Sequence, residues 1–237
     1  MSEFESFLKG YYRCFTNNIF SIDSLKNAKI LTRDENFFFI KDSFIIYFIN
    51  EARDFNLPNG FIKIVKKIKL SEIECEFLRL NGFKKIDEFI GMSFKNNGLR
   101  YEISDEIELA ILSDIDKIYS FFTEFFDKDY LFINKNELKE RILNNQVFVI
   151  KNQNKIIASL IYFLHLNIAH LDFMAVNKEW QNAGFGRKLM AKFLSLSTRN
   201  FKLFVRQNSK NIIDFYSSFG FVKDKTFIEF YGRDDEG

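Results

Sequence analysis

Gln181-Asn182-Ala183-Gly184-Phe185-Gly186 is a polar, glycine-bearing turn between two apolar stretches, and its residue types and spacing suggest chemistry. Before it, Leu171 to Val176 reads as a strand. After it, Phe185, Leu189, Phe193 and Leu196 recur at helical spacing. A helix that starts in such a turn presents backbone N–H groups without intrahelical partners, and its dipole favours negative charge. Glycine permits left-handed dihedrals and the close approach of a phosphate, both of which a Cβ hinders. The chemistry indicated is capture of a phosphorylated ligand by main-chain amides. Two glycines alone would equally suit a plain turn ahead of a core helix.

Three familiar glycine loops do not fit. A GxGxxG dinucleotide loop needs glycine where Leu189 stands. A Walker loop needs Ser or Thr after Gly-Lys, and the chain has Gly186-Arg187-Lys188. A kinase loop joins two strands, whereas a helix follows here. Cys14 and Cys75 are the only cysteines and match no zinc spacing, so no metal centre is expected.

A second block lies downstream: Lys202 to Val205 as a strand, then a helix ending in Phe215-Tyr216-Ser217-Ser218-Phe219-Gly220-Phe221. Gln-x-x-Gly-x-Gly after a strand ending in Ala175-Val176, followed by strand, helix and Tyr-x-x-x-Gly-Phe, resembles the GNAT acyltransferases over about residues 101–237. The resemblance implies an α/β fold with a mixed sheet and helices on both faces. It implies acetyl-CoA as co-substrate and an amine acceptor, a small molecule or amino acid first and a protein amino terminus or lysine second. Strands 168–176 and 202–206 would splay apart, and the pantetheine arm would fill the gap like an added strand. Backbone groups of Met174, Ala175 and Val176 would bond its amides. The N–H groups of Gln181, Asn182, Ala183, Gly184, Phe185, Gly186 and Arg187 would hold the pyrophosphate. Arg187 either adds a charged contact or is a solvated first-turn arginine.

The same resemblance makes Tyr216, four residues before Gly220, the acid that protonates the departing thiolate. Its alternative is an aromatic on a core-facing stripe. His170 and Asp172 stand on the strand where the family often places its base, two apart and so on one face. His170 could equally be a packed strand histidine, and Asp172 could bind the ammonium or orient His170. His165 reads as structural. The family commonly has Asn seven residues before the tyrosine; Ser209 is there, with Asn208 beside it as a substitute cofactor contact. A non-catalytic acyl-CoA-binding module is the rival from another class.

These residues need elements to position them. Glu106–Ile111 is expected as a strand and Ser113–Phe126 as a helix, followed by helix 136–143, a hairpin over 147–151 and 155–164, strand 168–176, the glycine-loop helix, strand 202–206, helix 209–219 and strands over 221–231. Upstream, Phe4, Phe7, Leu8, Tyr11 and Phe15 share a helical face, and 37–40 and 44–49 form a hairpin around Lys41-Asp42-Ser43. Phe61–Ile68 is a strand candidate, and Ser71 caps a helix that ends at Asn81-Gly82. Phe77–Phe83 echoes Phe215–Phe221, with Lys85, Phe89 and Ile90 falling on Lys223, Phe227 and Ile228. The chain therefore reads as a shortened, degenerate GNAT-like unit over 1–98 and a catalytic unit over 99–237, the boundary lying near Asn96-Asn97-Gly98.

Bulk numbers narrow the classes. The 237 residues suffice for one large or two small cores. Lys and Arg total 34 against 32 acids, a net +2 with no basic-aromatic cluster, so nucleic acid is not expected as a partner. No signal segment or run of about 20 apolar residues is visible, so neither secretion nor membrane insertion is expected and the location expected is cytoplasmic. A homodimer is left open.

Overall fold

The computed structural model of the chain describes residues 14–17, 25, 28–34, 36–67, 69–129 and 131–233. Contacts divide the chain into two compact units. The first comprises 1–90, 206–209 and 225–237; the second comprises 91–205 and 210–224.

Strands β1 (Phe15–Thr16), β2 (Lys29–Arg33), β3 (Asn36–Lys41) and β4 (Phe44–Ile49) form an antiparallel sheet in the first unit, in the order β1-β4-β3-β2. The expected hairpin is present: β3 and β4 pair Phe38 with Tyr47, and Asp42 takes the left-handed turn position at φ 53°. Phe15, expected on a helix, pairs instead with Ile49 in β1, while residues 4 to 11 lie outside the described residues. Next come β5 (Ile62–Lys66) and helix α1 (Glu72–Leu80). Ser71 and Glu74 close a capping box, satisfying two orphan donors of the first turn. Phe77, Glu74 and Leu78 are the buried positions of α1, with Ile73 packed against the cluster. The Tyr47 hydroxyl donates to Glu74, and Lys66 pairs with it, so the buried carboxylate is satisfied from several sides. Phe38, Phe55, Tyr47 and Phe77 meet ring to ring at 4.9–6.1 Å above this network.

After Gly82 (φ 71°) the chain enters β6 (Lys84–Lys95), whose first residues belong to the first unit and whose last belong to the second. The second unit continues with β7 (Ile107–Leu109), helices α2 (Ile115–Thr123) and α3 (Lys135–Leu143), and strands β8 (Val147–Asn152), β9 (Lys155–His165) and β10 (Ile168–Val176). Helix α4 (Phe185–Leu194), β11 (Asn200–Arg206), helix α5 (Lys210–Ser217) and β12 (Val222–Gly232) complete the series. In the second unit the strand order is β6-β11-β10-β9-β8-β7, antiparallel except for the parallel pair β10–β11. In the first, β12 pairs antiparallel with β5.

One face of the second unit's sheet carries Val147, Val149, Ile156 and Ile161 against Ile118, Phe121 and Phe122 of α2 and Leu138 and Ile142 of α3. The other face receives Leu189, Met190, Phe193 and Leu194 of α4, with Phe193 edge-on to Tyr162 and Phe201. Side-chain alternation along β9 therefore feeds two cores, which is why the strand reads as a nearly continuous apolar run. The mixed sheet with helices on both faces is the expected architecture.

Candidate functional site

The site begins where two strands part. β10 and β11 pair in parallel from Ile168–Asn200 to Leu171–Leu203, and the register goes no further. At that point β10 carries an extra residue against β9: Leu171 faces Tyr162 and Phe173 faces Ile161, leaving Asp172 in a bulge. A bulge bends its strand and raises the local twist. Phe173, Met174, Ala175 and Val176 remain paired with β9 alone. Their other edge has no strand partner among the described residues, although the Val176 carbonyl accepts from Gln181.

β10 leads straight into the glycine turn. Asn177 accepts from the Glu179 N–H and opens a short 3-10 turn, Lys178–Trp180. Asn182 (φ 64°) and Gly184 (φ 88°) then take left-handed conformations, and Gly184 is the N-cap of α4. A Cβ on Gly184 would meet no atom within 4 Å, so glycine is needed there for its dihedral rather than for space. Gly186 is the reverse case: its φ is ordinary, and a Cβ would lie 3.5 Å from Phe215 and 3.8 Å from Val176. The end of β10, the start of α4 and helix α5 thus meet at Gly186. The first intrahelical bond runs from Lys188 N–H to the Gly184 carbonyl, so the N–H groups of Phe185, Gly186 and Arg187 have no helical acceptor. Gln181 does not project away from the strand; its Nε2 donates to the Val176 carbonyl at 3.1 Å. Arg187 lies over the Phe219 ring and reaches the Ser218 hydroxyl at 3.4 Å, which ties the loop helix to the end of α5.

Tyr216 is 6 % exposed and its ring lies edge-on to Phe215 and Phe221. Burial pushes its phenol far above the ordinary value, so it is protonated throughout the physiological range. Asn208 is exposed in the turn after β11, within the first unit, and Ser209 immediately precedes α5.

His170 and Asp172 do share the face of β10 that α3 covers, and the link is a residue the sequence did not single out. His170 stacks on Phe163 at 4.6 Å, nearly parallel. The Arg141 guanidinium of α3 lies over that ring at 4.7 Å and donates to Asp172 at 3.1 Å. Burial, then the positive charge of Lys202 and His165, lowers the His170 pKa to about 4. The imidazole is therefore neutral, and its Nε2 is buried without a partner. Glu124, Asp127 and Asp129 are exposed, and Asp127 caps the Asp129 N–H. A shallow cavity lined by Leu164, His165, Asn167 and Arg199 sits at the other end of β10 and β11, away from the parting strands. Among the described residues no helix is long and apolar enough to cross a membrane, and no cluster of three or more His, Cys, Asp or Glu could hold a metal.

A parallel strand pair that separates at a bulge, and a left-handed glycine turn that opens a helix at the end of one of those strands, define an acyltransferase domain of the GNAT type. Residues 116–233 match the family model described as an acetyltransferase (GNAT) domain, and through this stretch the chain belongs to that superfamily. Solved structures agree on the fold. A protein described as a GNAT-family acetyltransferase from Novosphingobium aromaticivorans has a TM-score of 0.58 at 12% identity, over 74% of this chain and 75% of its own. A GNAT-family acetyltransferase from Colwellia psychrerythraea scores 0.54 at 13% identity and covers 98% of both chains. A GCN5-related N-acetyltransferase from Sphaerobacter thermophilus scores 0.54 at 10% identity, over 83% of this chain and 75% of that one. No curated protein matches the chain in sequence. The fold and family imply acyl transfer, and the family generally uses acetyl-CoA.

Proposed function

We propose that the chain is an N-acetyltransferase that moves the acetyl group of acetyl-CoA to the primary amine of a small molecule or amino acid by direct attack. The observation that carries this reading is the parting of β10 from β11 after Leu171–Leu203, with the open edge of 173–176 running into the Gly184 turn. A pantetheine arm lying along that edge would exchange amide hydrogen bonds with Met174 and the Val176 N–H, as an added strand does, the Val176 carbonyl being held by Gln181. Its diphosphate would then reach the N–H groups of Phe185, Gly186 and Arg187, where both the unpaired donors and the helix dipole favour anions. With the acetyl thioester so placed, the acceptor nitrogen attacks the carbonyl carbon. The tetrahedral intermediate collapses by breaking the C–S bond, and the electron pair leaves with sulfur.

Tyr216 is held as a neutral phenol and is the proton donor to that sulfur. Low-polarity surroundings also raise the proton affinity of the thiolate, which keeps the transfer matched. His170 is the proton acceptor on the amine side, with a restricted role. Taking a proton from a free ammonium near 10.4 would cost an imidazole of pKa about 4 on the order of 8–9 kcal/mol. The acceptor must therefore lose its ammonium proton to solvent before it attacks. His170 receives the proton after the C–N bond forms, when that nitrogen has become far more acidic. Asp172 orients the acceptor side of the site.

The test is release of CoA thiol from acetyl-CoA in the presence of small amines, free amino acids, peptides with free amino termini and lysine-bearing peptides. Amine-dependent release with the small molecules is expected. Release only with peptides would move the acceptor to proteins, and tight CoA binding with no turnover on any amine would make the chain a binding module.

A further inference from the structure

Arg141 and Asp172 form an ion pair of opposite charges at the bulge, beside the edge left open for the donor. Neither side chain is fully covered: they retain 27% and 23% of their exposure. The contact runs from Nη2 to Oδ2, and among the described residues the guanidinium's other polar partner is the Gln146 side chain at 3.5 Å. An arginine retained for its pair alone would be expected in the fork-to-fork arrangement that uses two N–H groups. Here the guanidinium carbon lies 4.7 Å over the Phe163 ring, which restricts where its other N–H groups can point. Phe163 in turn stacks on His170, which places a cation, an anion and a neutral imidazole on one small platform.

We propose that this platform recognises the acceptor, and that the acceptor is a free amino acid, its carboxylate on Arg141 and its amino group beside Asp172. This rests on the transferase reading above. A molecule with both charges on one carbon presents an anion and a cation a few ångströms apart, the complement of a guanidinium and carboxylate in contact. Such an acceptor gives Arg141 a second carboxylate and gives Asp172 an N–H donor. Neither residue has to be stripped of its partner, so no buried charge is left unpaired. The same placement puts the amino group at the start of the open edge, where the thioester would lie. The ammonium loses its proton to solvent before attack, the neutral nitrogen keeping an N–H on Asp172, while the carboxylate stays as the anchor. A plain alkylamine lacks the anchor, and an amino acid within a peptide chain lacks its free carboxylate.

The experiment compares each of a panel of free L-amino acids with its own amide and with the matching decarboxylated amine, in two readouts. In turnover with acetyl-CoA, at least one amino acid should exceed its amide by tenfold or more in kcat/KM, and Arg141→Met should erase that ratio through KM. In calorimetry on the protein saturated with CoA, the same amino acid should bind to the wild type and lose at least tenfold in affinity in Arg141→Met. Arg141→Lys, which keeps charge but not the fork, should recover part of it, and it stands in should Arg141→Met fail to fold. Equal use of acid and amide, or amino-acid binding that ignores both substitutions, overturns the proposal. If no acceptor is turned over, the transferase reading fails by itself, and the calorimetric arm still decides whether an amino acid is bound through Arg141.

Discussion

At the scale of single residues, the site depends on groups kept neutral by burial. Tyr216→Phe removes one hydroxyl from a packed position, and kcat should fall by about 10²-fold or more. CoA affinity should hold, as steady-state kinetics beside a calorimetric CoA titration would read. An unchanged kcat would return Tyr216 to the core. His170 sets an acid limit on stability. Its folded pKa of about 4 lies below the unfolded value near 6.5, so the unfolded chain takes up the proton first as pH falls. The contribution is complete above pH 6.5, declines between there and 4, and amounts to about 3 kcal/mol. Urea midpoints at pH 7 and pH 4.5 should therefore differ less in His170→Gln than in the wild type. The position of Tyr216 was readable because it stands four before a glycine that takes φ 92° ahead of a strand. Arg141 was not readable. It sits 31 residues from its partner on a helix, Lys-Asn-Glu-Leu-Lys-Glu-Arg-Ile-Leu, where one more charge carries no spacing signal.

At the scale of elements, strand, turn and helix act together to shape the proposed anion site. Gly184→Ala forces an L side chain to φ 88°, at a cost of about 1–2 kcal/mol. Nothing crowds the new methyl, so the backbone is expected to shift rather than the neighbours. The expected outcome is a drop in CoA affinity of tenfold or more, larger than the accompanying fall in Tm, as titration and melting of the same sample would show. The run 168–176 was legible as a strand, but its bulge was not, because an extra residue is defined only against the partner strand. The α4 stripe held for Phe185, Leu189 and Phe193, whereas Leu196 falls beyond the Ser195 cap. β6 is not visible in the sequence: Lys84-Lys85-Ile86-Asp87-Glu88-Phe89 begins with charges and its first three residues are exposed, which hides the alternation a half-buried strand shows. The echo between 77–83 and 215–221 corresponds to a shared local passage, a helix, a left-handed glycine and a strand.

At the scale of the whole molecule, the two units are discontinuous in sequence, which no single cut can reproduce. The second starts at Gly91 and so includes Met92, 1% exposed, and Phe94, whose ring meets Phe201 and Phe221. A fragment beginning at residue 99 drops all of these; Met92 alone is worth about 2–5 kcal/mol. Thermal melts should show residues 99–237 far less stable than residues 91–237, and equal melts would mean those side chains contribute little. The first unit is completed late. β5 pairs with β12 from Lys66–Phe227 to Ile62–Tyr231, and Arg233 donates to the Leu57 carbonyl across 176 residues of chain. On a ribosome, the Phe37-Phe38-Phe39 strand and its neighbours would emerge long before their final partner is made. Their unit closes only through contacts of high sequence separation, which slow folding and prolong the time an aromatic edge stays sticky. Synthesis speed and chaperone supply, more than equilibrium stability, would then govern how much of this protein a cell recovers in working form.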